Sequence, residues 1–418
     1  MDTITHGIAG ALIAKAMFRG EDMFGSRAIN EDAGPFDAQD KLKPGATIKS
    51  SQGRILTWAL MLGAIFPDSD VFRDIFSHDK LLIVTWHRSI THSLLLLPLW
   101  ALLLAWITYA FCKWWKWEAP SFAALVGVYA VGILSHILLD LVTTFGTMIW
   151  SPVKWSRPAW DMIFIVDFTL SAILLLPQLL AWVYSNPEKM WPRAAGTWLV
   201  FMPAPVVIAR IAEAAGAPVS NRTTLGAIIL LSIIFLSPAV RRWGLRIRYV
   251  AWNRAGFAAT LIYVALAYFA HQAAFARIEK FVALDHLQAA SIGALPLPPS
   301  LWHWDGLVRT ERGVYELRMD LSDKSASETE LLMQEHRYFP DAPLNSYIEA
   351  ARRLPQVQKV LWFARFPLTR FHKEGEEAVV EVSDLRFARM VSNRPSAFTY
   401  QVRFDGNGSV VSQGWATR

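Results

Sequence analysis

Apolar residues gather along the first two thirds of the chain in long uncharged runs and then disperse. Residues 94–112 hold no charged side chain, which is long enough for a membrane-spanning helix of about 17–25 residues. Residues 122–139 are also uncharged, with His136 set among them. Further runs cover 162–184, interrupted by Asp167, then 194–211, interrupted by Arg210, then 223–240 and 255–275. Two shorter runs, 4–18 and 55–66, come first and read as helices that are re-entrant or tucked against a bundle. The pattern predicts a polytopic α-helical membrane domain with six spans and two short N-terminal helices. Residues 19–54, mixed in charge and rich in Gly, Asp and Ser, read as a long loop.

The texture changes near Arg277, so the chain divides into a membrane domain at 1–276 and a small soluble α+β domain at 277–418. Within that tail, 307–321 alternates like a hairpin turning at Arg312–Gly313, and 344–354 has helical spacing. Residues 357–366, 378–387 and 398–404 read as strands, and a DGNG turn precedes another at 409–413. Residues 295–300 (LPLPPS) read as a connector. His286, His303, His336 and His372 are scattered there without acids at ligand spacing.

Composition agrees with a chain that is part membrane and part water. Of 418 residues, 53% are hydrophobic and 18% charged, against roughly 25% charged in a soluble domain. The single cysteine, Cys112, excludes an internal disulfide. The net charge of +6 raises the question of nucleic acid. Residues 277–418 carry 18 basic and 18 acidic side chains, so the whole excess lies in the membrane half. Much of it is one loop, Arg241, Arg242, Arg246, Arg248 and Arg254, with no acid among them. Short basic loops stay in the cytoplasm. The charge therefore reports orientation, no nucleic-acid partner is expected, and parity puts the C-terminal domain on the extracytoplasmic side of an inner (plasma) membrane. No cleavable signal peptide is expected, because residues 1–18 lack a basic start.

Candidate chemistry sits in four short motifs of the membrane half: Thr5-His6-Gly7; Pro67-Asp68-Ser69-Asp70; His87-Arg88-Ser89-Ile90-Thr91-His92-Ser93; and Ser135-His136 with Asp140, Thr143, Thr144 and Gly146. His136 and Asp140 are four apart, so they share one helix face. Ionisable residues inside a span are costly and point to function. Several His with carboxylates suit zinc or another first-row metal such as manganese better than magnesium, and one to three ions would fit. Asp161 reads as an interfacial cap. Asp167, placed within an apolar run, is a further candidate ligand.

These motifs, in this order, resemble the predicted membrane-bound metal-dependent hydrolase family, also called YdjM-like. The likeness covers about residues 1–180, with IVDF at 165–168 as a further element. The family is distantly similar to zinc-dependent phospholipase C and single-strand nuclease folds, which implies phosphoester hydrolysis. His6, Asp68, His87, His92, His136, Asp140 and Asp167 are then the candidate metal ligands. Asp70 is a ligand or base, and Arg88 neutralises charge on a phosphoryl group. A lipid or lipid-linked phosphoester is the expected substrate. Two other readings use the same residues: a transporter or channel with a His/Asp relay, and a non-catalytic scaffold with a structural metal.

Overall fold

The computed structural model describes residues 2–18, 50–77, 79–214, 219–298, 301–322, 336–387 and 398–416. The loop expected at 19–54 lies outside these residues up to 49, and 50–54 is helix. Helix α1 (Thr3–Met17) starts where the Asp2 carboxylate accepts from Thr5 N. Helix α2 (Ser50–Ile65) runs through a 3₁₀ turn at Phe66–Asp70, opened by Pro67, into α3 (Val71–Phe76). After α4 (Leu82–Thr85) come α5 (Leu97–Trp114) and α6 (Phe122–Leu141), the latter capped by Ser121. Then follow α7 (Phe168–Val183), α8 (Met190–Phe201), α9 (Ala204–Ala214), α10 (Asn221–Val240) and α11 (Tyr249–Leu284).

Among the described residues, five helical stretches are long and apolar enough to cross a membrane: Ser51–Arg73, Leu97–Trp114, Phe122–Leu141, Asn221–Val240 and Tyr249–Leu284. This differs from the expected six in three places. The run at 55–66 belongs to a longer helix, because Ser, Gln and Gly before it and the turn after it extend the rod. The run at 162–184 is helical only from Phe168, since Asp167 caps it there. The run at 194–211 is broken between α8 and α9, where Pro203 has no N–H to continue the helical ladder.

Small residues let three of these helices touch. A Cβ on Gly10 would lie 2.7 Å from Ala64 Cβ, and one on Gly132 would lie 2.5 Å from Leu60 O. Helix α2 is thus held directly between α1 and α6, with Leu60, Leu125, Ile133 and Ile137 fully buried around it. Outward faces stay apolar, as Leu102, Trp106, Ile229, Leu261 and Ile262 show. That is the surface lipid requires.

The bundle has two chemically different ends. At one, Arg254 Nε donates to Ala16 O (3.1 Å), Gln52 to Ala119 O (3.4 Å), and Tyr184 Oη to Phe235 O (2.5 Å). The connection 113–118 and the arginine loop both lie at this end. At the other lie the start of α1, the turn after α2, the end of α6 and the long connection 142–167.

Helix α11 leads into the tail at that second end. Its 36 residues span about 54 Å, well beyond the roughly 30 Å of hydrocarbon. The excess packs Ile278 and Phe281 against Trp304 and Val308 of the first sheet. That sheet is antiparallel in the order β1 (Ser291–Pro296), β2 (His303–Arg309), β3 (Gly313–Asp320), β4 (His336–Pro340). Two short helices follow, α12 (Ser346–Arg353) and α13 (Pro355–Phe363). The second antiparallel sheet is β5 (Pro367–Glu374), β6 (Glu377–Asp384), β7 (Thr399–Phe404) and β8 (Val410–Trp415). The expected strand at 357–366 is therefore mostly helix: Val357, Val360 and Phe363, at helical spacing, are its buried face. The connector expected from 295 is in part strand β1.

The second sheet does not stand apart. Its core takes in Leu81, Val84 and Phe145 from the membrane half, together with Phe363, Phe387 and Tyr400.

Candidate metal centre

Three elements bring four ionisable side chains to the same buried place. The 3₁₀ turn after α2 carries Asp68, the short 3₁₀ helix at Ile90–His92 carries His92, and one face of α6 carries His136 and Asp140. One ligand atom from each lies within 4.8 Å of the others. The two imidazoles face each other, with Nε2 of His92 and Nε2 of His136 3.1 Å apart. Asp140 Oδ2 lies 3.2 Å from His92 Nε2 and 3.4 Å from His136 Nε2. Asp68 Oδ1 lies 3.7 and 3.4 Å from the same nitrogens.

Hydrogen bonds behind the rings hold their orientation. His136 Nδ1 lies 2.7 Å from Ala64 O, which can only accept, so the proton is on Nδ1. His92 Nδ1 lies 3.1 Å from Thr91 Oγ1, which donates its own proton to Asp70 Oδ2 and so can accept from the ring. Each Nε2 then points inward, where it meets the other Nε2 and two carboxylates. Two carboxylates gathered with two ring nitrogens in a buried place call for positive charge among them, which a divalent cation supplies. A tetrahedral ion with ligands about 2.0–2.1 Å away sets those ligands about 3.3 Å apart, and the observed spacings of 3.1–3.7 Å bracket that value. The residues fit a divalent metal. Backing of each ring by a hydrogen-bond acceptor is what such ligands use to hold their orientation.

His6, at the start of α1, adjoins the four. Its ring stacks on His136 with centroids 3.6 Å apart, and its Nε2 lies 3.3 Å from Asp140 Oδ1. Arg88 reaches the same Oδ1 at 2.9 Å and also donates to Thr143 (3.1 Å). Arg88 holds a left-handed backbone, φ 62°, which a residue with a Cβ adopts only when its surroundings fix it. Two bonds do so: its N–H donates to Asp70 Oδ2 (2.9 Å) and its carbonyl accepts from Met148 N (2.8 Å). Asp70 also meets His87 Nδ1 at 2.9 Å and accepts from Thr91. Asp70 and His87 thus sit beside the four, tying the 87–92 segment to the turn after α2.

Asp167 is placed differently. One oxygen caps α7 through Leu170 N (2.9 Å) and the other accepts from Tyr263 Oη (2.6 Å). Burial raises Asp161, six residues earlier, above its ordinary value, and Arg365 opposes the shift. Asp161 is buried and meets the Arg365 guanidinium of the C-terminal domain at 2.8–2.9 Å, so it anchors that domain instead of capping a helix at an interface.

Sequence reasoning missed the arginines that arrive from outside the motifs. Arg386 donates to Thr144 O (2.7 Å) across the two domains, and Arg157 donates to His87 O. Neither sits in a recognisable pattern; a lone Arg within a polar connection gives no signal of where the fold will carry it.

No curated protein and no solved structure matches the chain. A family description, YdjM inner membrane protein, matches residues 1–216, which contain all four motifs and the whole His/Asp cluster. The chain belongs to the YdjM inner membrane protein family.

Proposed function

We propose that this chain is an integral membrane metal-dependent hydrolase of phosphoesters, with zinc or manganese held by Asp68, His92, His136 and Asp140. The observation that carries the reading is the inward convergence of two imidazole Nε2 atoms and two carboxylates in one buried cluster. A divalent ion held there would supply Lewis acidity toward a phosphoryl oxygen and acidify a water.

The chain's own residues supply the rest. Arg88, fixed by Asp140 and Thr143, offers a guanidinium for the charge that develops on phosphoryl oxygens. Asp70 is spent on His87, Thr91 and the Arg88 backbone, so its role is to position the segment that bears Arg88 and His92. Phe145 and the second sheet cover the site end of the bundle and limit the entry of bulk water. A site at one end of a bundle with lipid-facing helices suits a lipid-linked substrate. The arginine loop at the opposite end supports an extracytoplasmic position for the site and the tail. The transporter reading draws less support, because the Pro-broken pair α8–α9 packs chiefly on α10.

The test is hydrolysis of a chromogenic phosphoester and of phospholipids by the full chain in detergent, with and without added zinc or manganese. Activity that follows metal and disappears in His136→Ala and Asp68→Ala supports the reading. Metal-loaded protein that cleaves neither class of substrate overturns it.

A further inference from the structure

Three guanidiniums converge beside the His/Asp cluster around two aromatic rings. Arg88 and Arg157 both lie over Phe145, at 4.9 and 4.8 Å from its centroid. Arg157 and Arg386 both lie over Phe363, at 5.2 and 5.1 Å. Two of the three are bound to acids: Arg88 to Asp140 at 2.9 Å, and Arg386 to Asp384 at 2.7 Å. Arg386 also gives its remaining donors to the carbonyls of Thr144 and Phe363.

Arg157 differs. Its Nη2 donates to His87 O, and among the described residues nothing accepts from its buried Nε or Nη1. Arg88 Nε is buried and likewise without an acceptor. Burial, followed by the nearby Arg88 and Arg386 charges, lowers Arg157 to about 9. A buried cation pressed against like charge, with donors left over, is costly. The arrangement gains from an anion with several oxygens that accepts from more than one guanidinium. A tetrahedral phosphoryl group does this, and the planar arginine fork matches its oxygen spacing.

We infer that Arg157 and the Nε edge of Arg88 form a buried phosphoryl-binding subsite next to the His/Asp cluster, with Arg157 as its principal donor. The inference rests on the proposed phosphoesterase reading for its place in catalysis, but the subsite itself is a binding property that needs no turnover. Arg88 links the two: one edge of its guanidinium holds Asp140 and Thr143, while its Nε remains for the anion. A phosphoryl group there would lie within reach of the cluster by way of Arg88. The chemistry is shared by free phosphate and by the headgroup of a phosphomonoester lipid.

The experiment is calorimetric titration of the full chain in detergent, stripped of metal by chelation and dialysis. The probes are inorganic phosphate, a short-chain phosphatidic acid, and phosphatidylcholine as the lipid that lacks a monoester. At least one of the first two should bind, about tenfold or more weaker in Arg157→Gln, with Arg157→Lys between the two because it keeps the charge and loses the fork. Binding of phosphatidic acid but not phosphate assigns the headgroup as the source, and the converse assigns free phosphate; either upholds the subsite. Wild-type protein should also gain thermal stability from the bound probe relative to chloride at equal ionic strength, a readout that does not depend on a variant folding. Binding by neither probe, or equal binding in wild type and Arg157→Gln, overturns the inference. Metal-free protein separates the two ideas. A chain that binds phosphate through Arg157 but never hydrolyses refutes the enzyme reading alone, and active enzyme with Arg157-independent phosphate binding refutes the subsite alone.

Discussion

His92 and His136 point Nε2 at Nε2 across 3.1 Å, although they come from a short 3₁₀ helix and from a long apolar helix 44 residues away. The Ala64 carbonyl behind His136 Nδ1 and the Thr91 hydroxyl behind His92 Nδ1 turn both Nε2 atoms inward, toward Asp68 and Asp140. The contact makes sense as two sides of one coordination sphere.

Asp140 joins that sphere to Arg88, so its removal has two consequences. In Asp140→Asn, zinc affinity measured by competition with a chelating dye should fall by about 100-fold or more. The melting temperature should fall as well, because Arg88 is left buried without its carboxylate, a loss of roughly 3 kcal/mol. Unchanged zinc affinity would remove Asp140 from the ligand set.

Gly132 decides where His136 sits. It lies one turn before the ligand, and a Cβ there would come within 2.5 Å of Leu60 O and 2.9 Å of Ala64 N. Gly132→Ala should therefore push α6 off α2, lengthen the His136–Ala64 bond and weaken metal binding by about 10-fold to 100-fold. Gly127→Ala is the matched control, since nothing lies within 4 Å of the added Cβ. Equal metal affinity in both variants would show that the close approach does not set the ligand.

Arg365 and Asp161 hold the C-terminal domain against the 142–167 connection. In Arg365→Ala the buried Asp161 carboxylate loses its partner, at a cost of roughly 2 kcal/mol, reduced because Arg365 is about a third exposed. Burial already raises the Asp161 pKa, so folding favours its protonated form. The cost of its charged form is absent in acid and grows as pH climbs through the raised folded value. Protease cleavage of the tail in this variant should thus be faster at about pH 7.5 than at about pH 5, relative to wild type. A pH-independent ratio would exclude Asp161 as the anchor.

Orientation has its own test. Reporter fusions after Arg254 and after Arg418 should fall on opposite sides of the membrane, with the arginine loop inside. Both on one side would contradict the proposed extracytoplasmic position of the site.

Much of the site is legible in the sequence because membrane helices make ionisable residues conspicuous. His136 and Asp140 stand out in an otherwise uncharged run, and their spacing of four puts them on one face. Short motifs such as PDSD and HRSITHS signal importance but not partition. Asp68 faces the cluster while Asp70 turns to the 87–92 backbone, and His92 enters while His87 stays beside it. Which member of such a pair points inward depends on 3₁₀ geometry that hydropathy does not report. Asp167 was conspicuous for the same reason as Asp140, yet it has a helix end and a tyrosine to satisfy it. In the tail, 357–366 combined β-branched and aromatic residues that suit strands, and packing against the second sheet made it helical.

Elemental analysis of the full chain purified in detergent tests the central claim most directly. The account predicts about one or more equivalents of zinc or manganese per chain, retained through gel filtration and lost in a folded His136→Ala variant. A wild-type chain that copurifies with no divalent metal and takes up neither ion when it is added would contradict it.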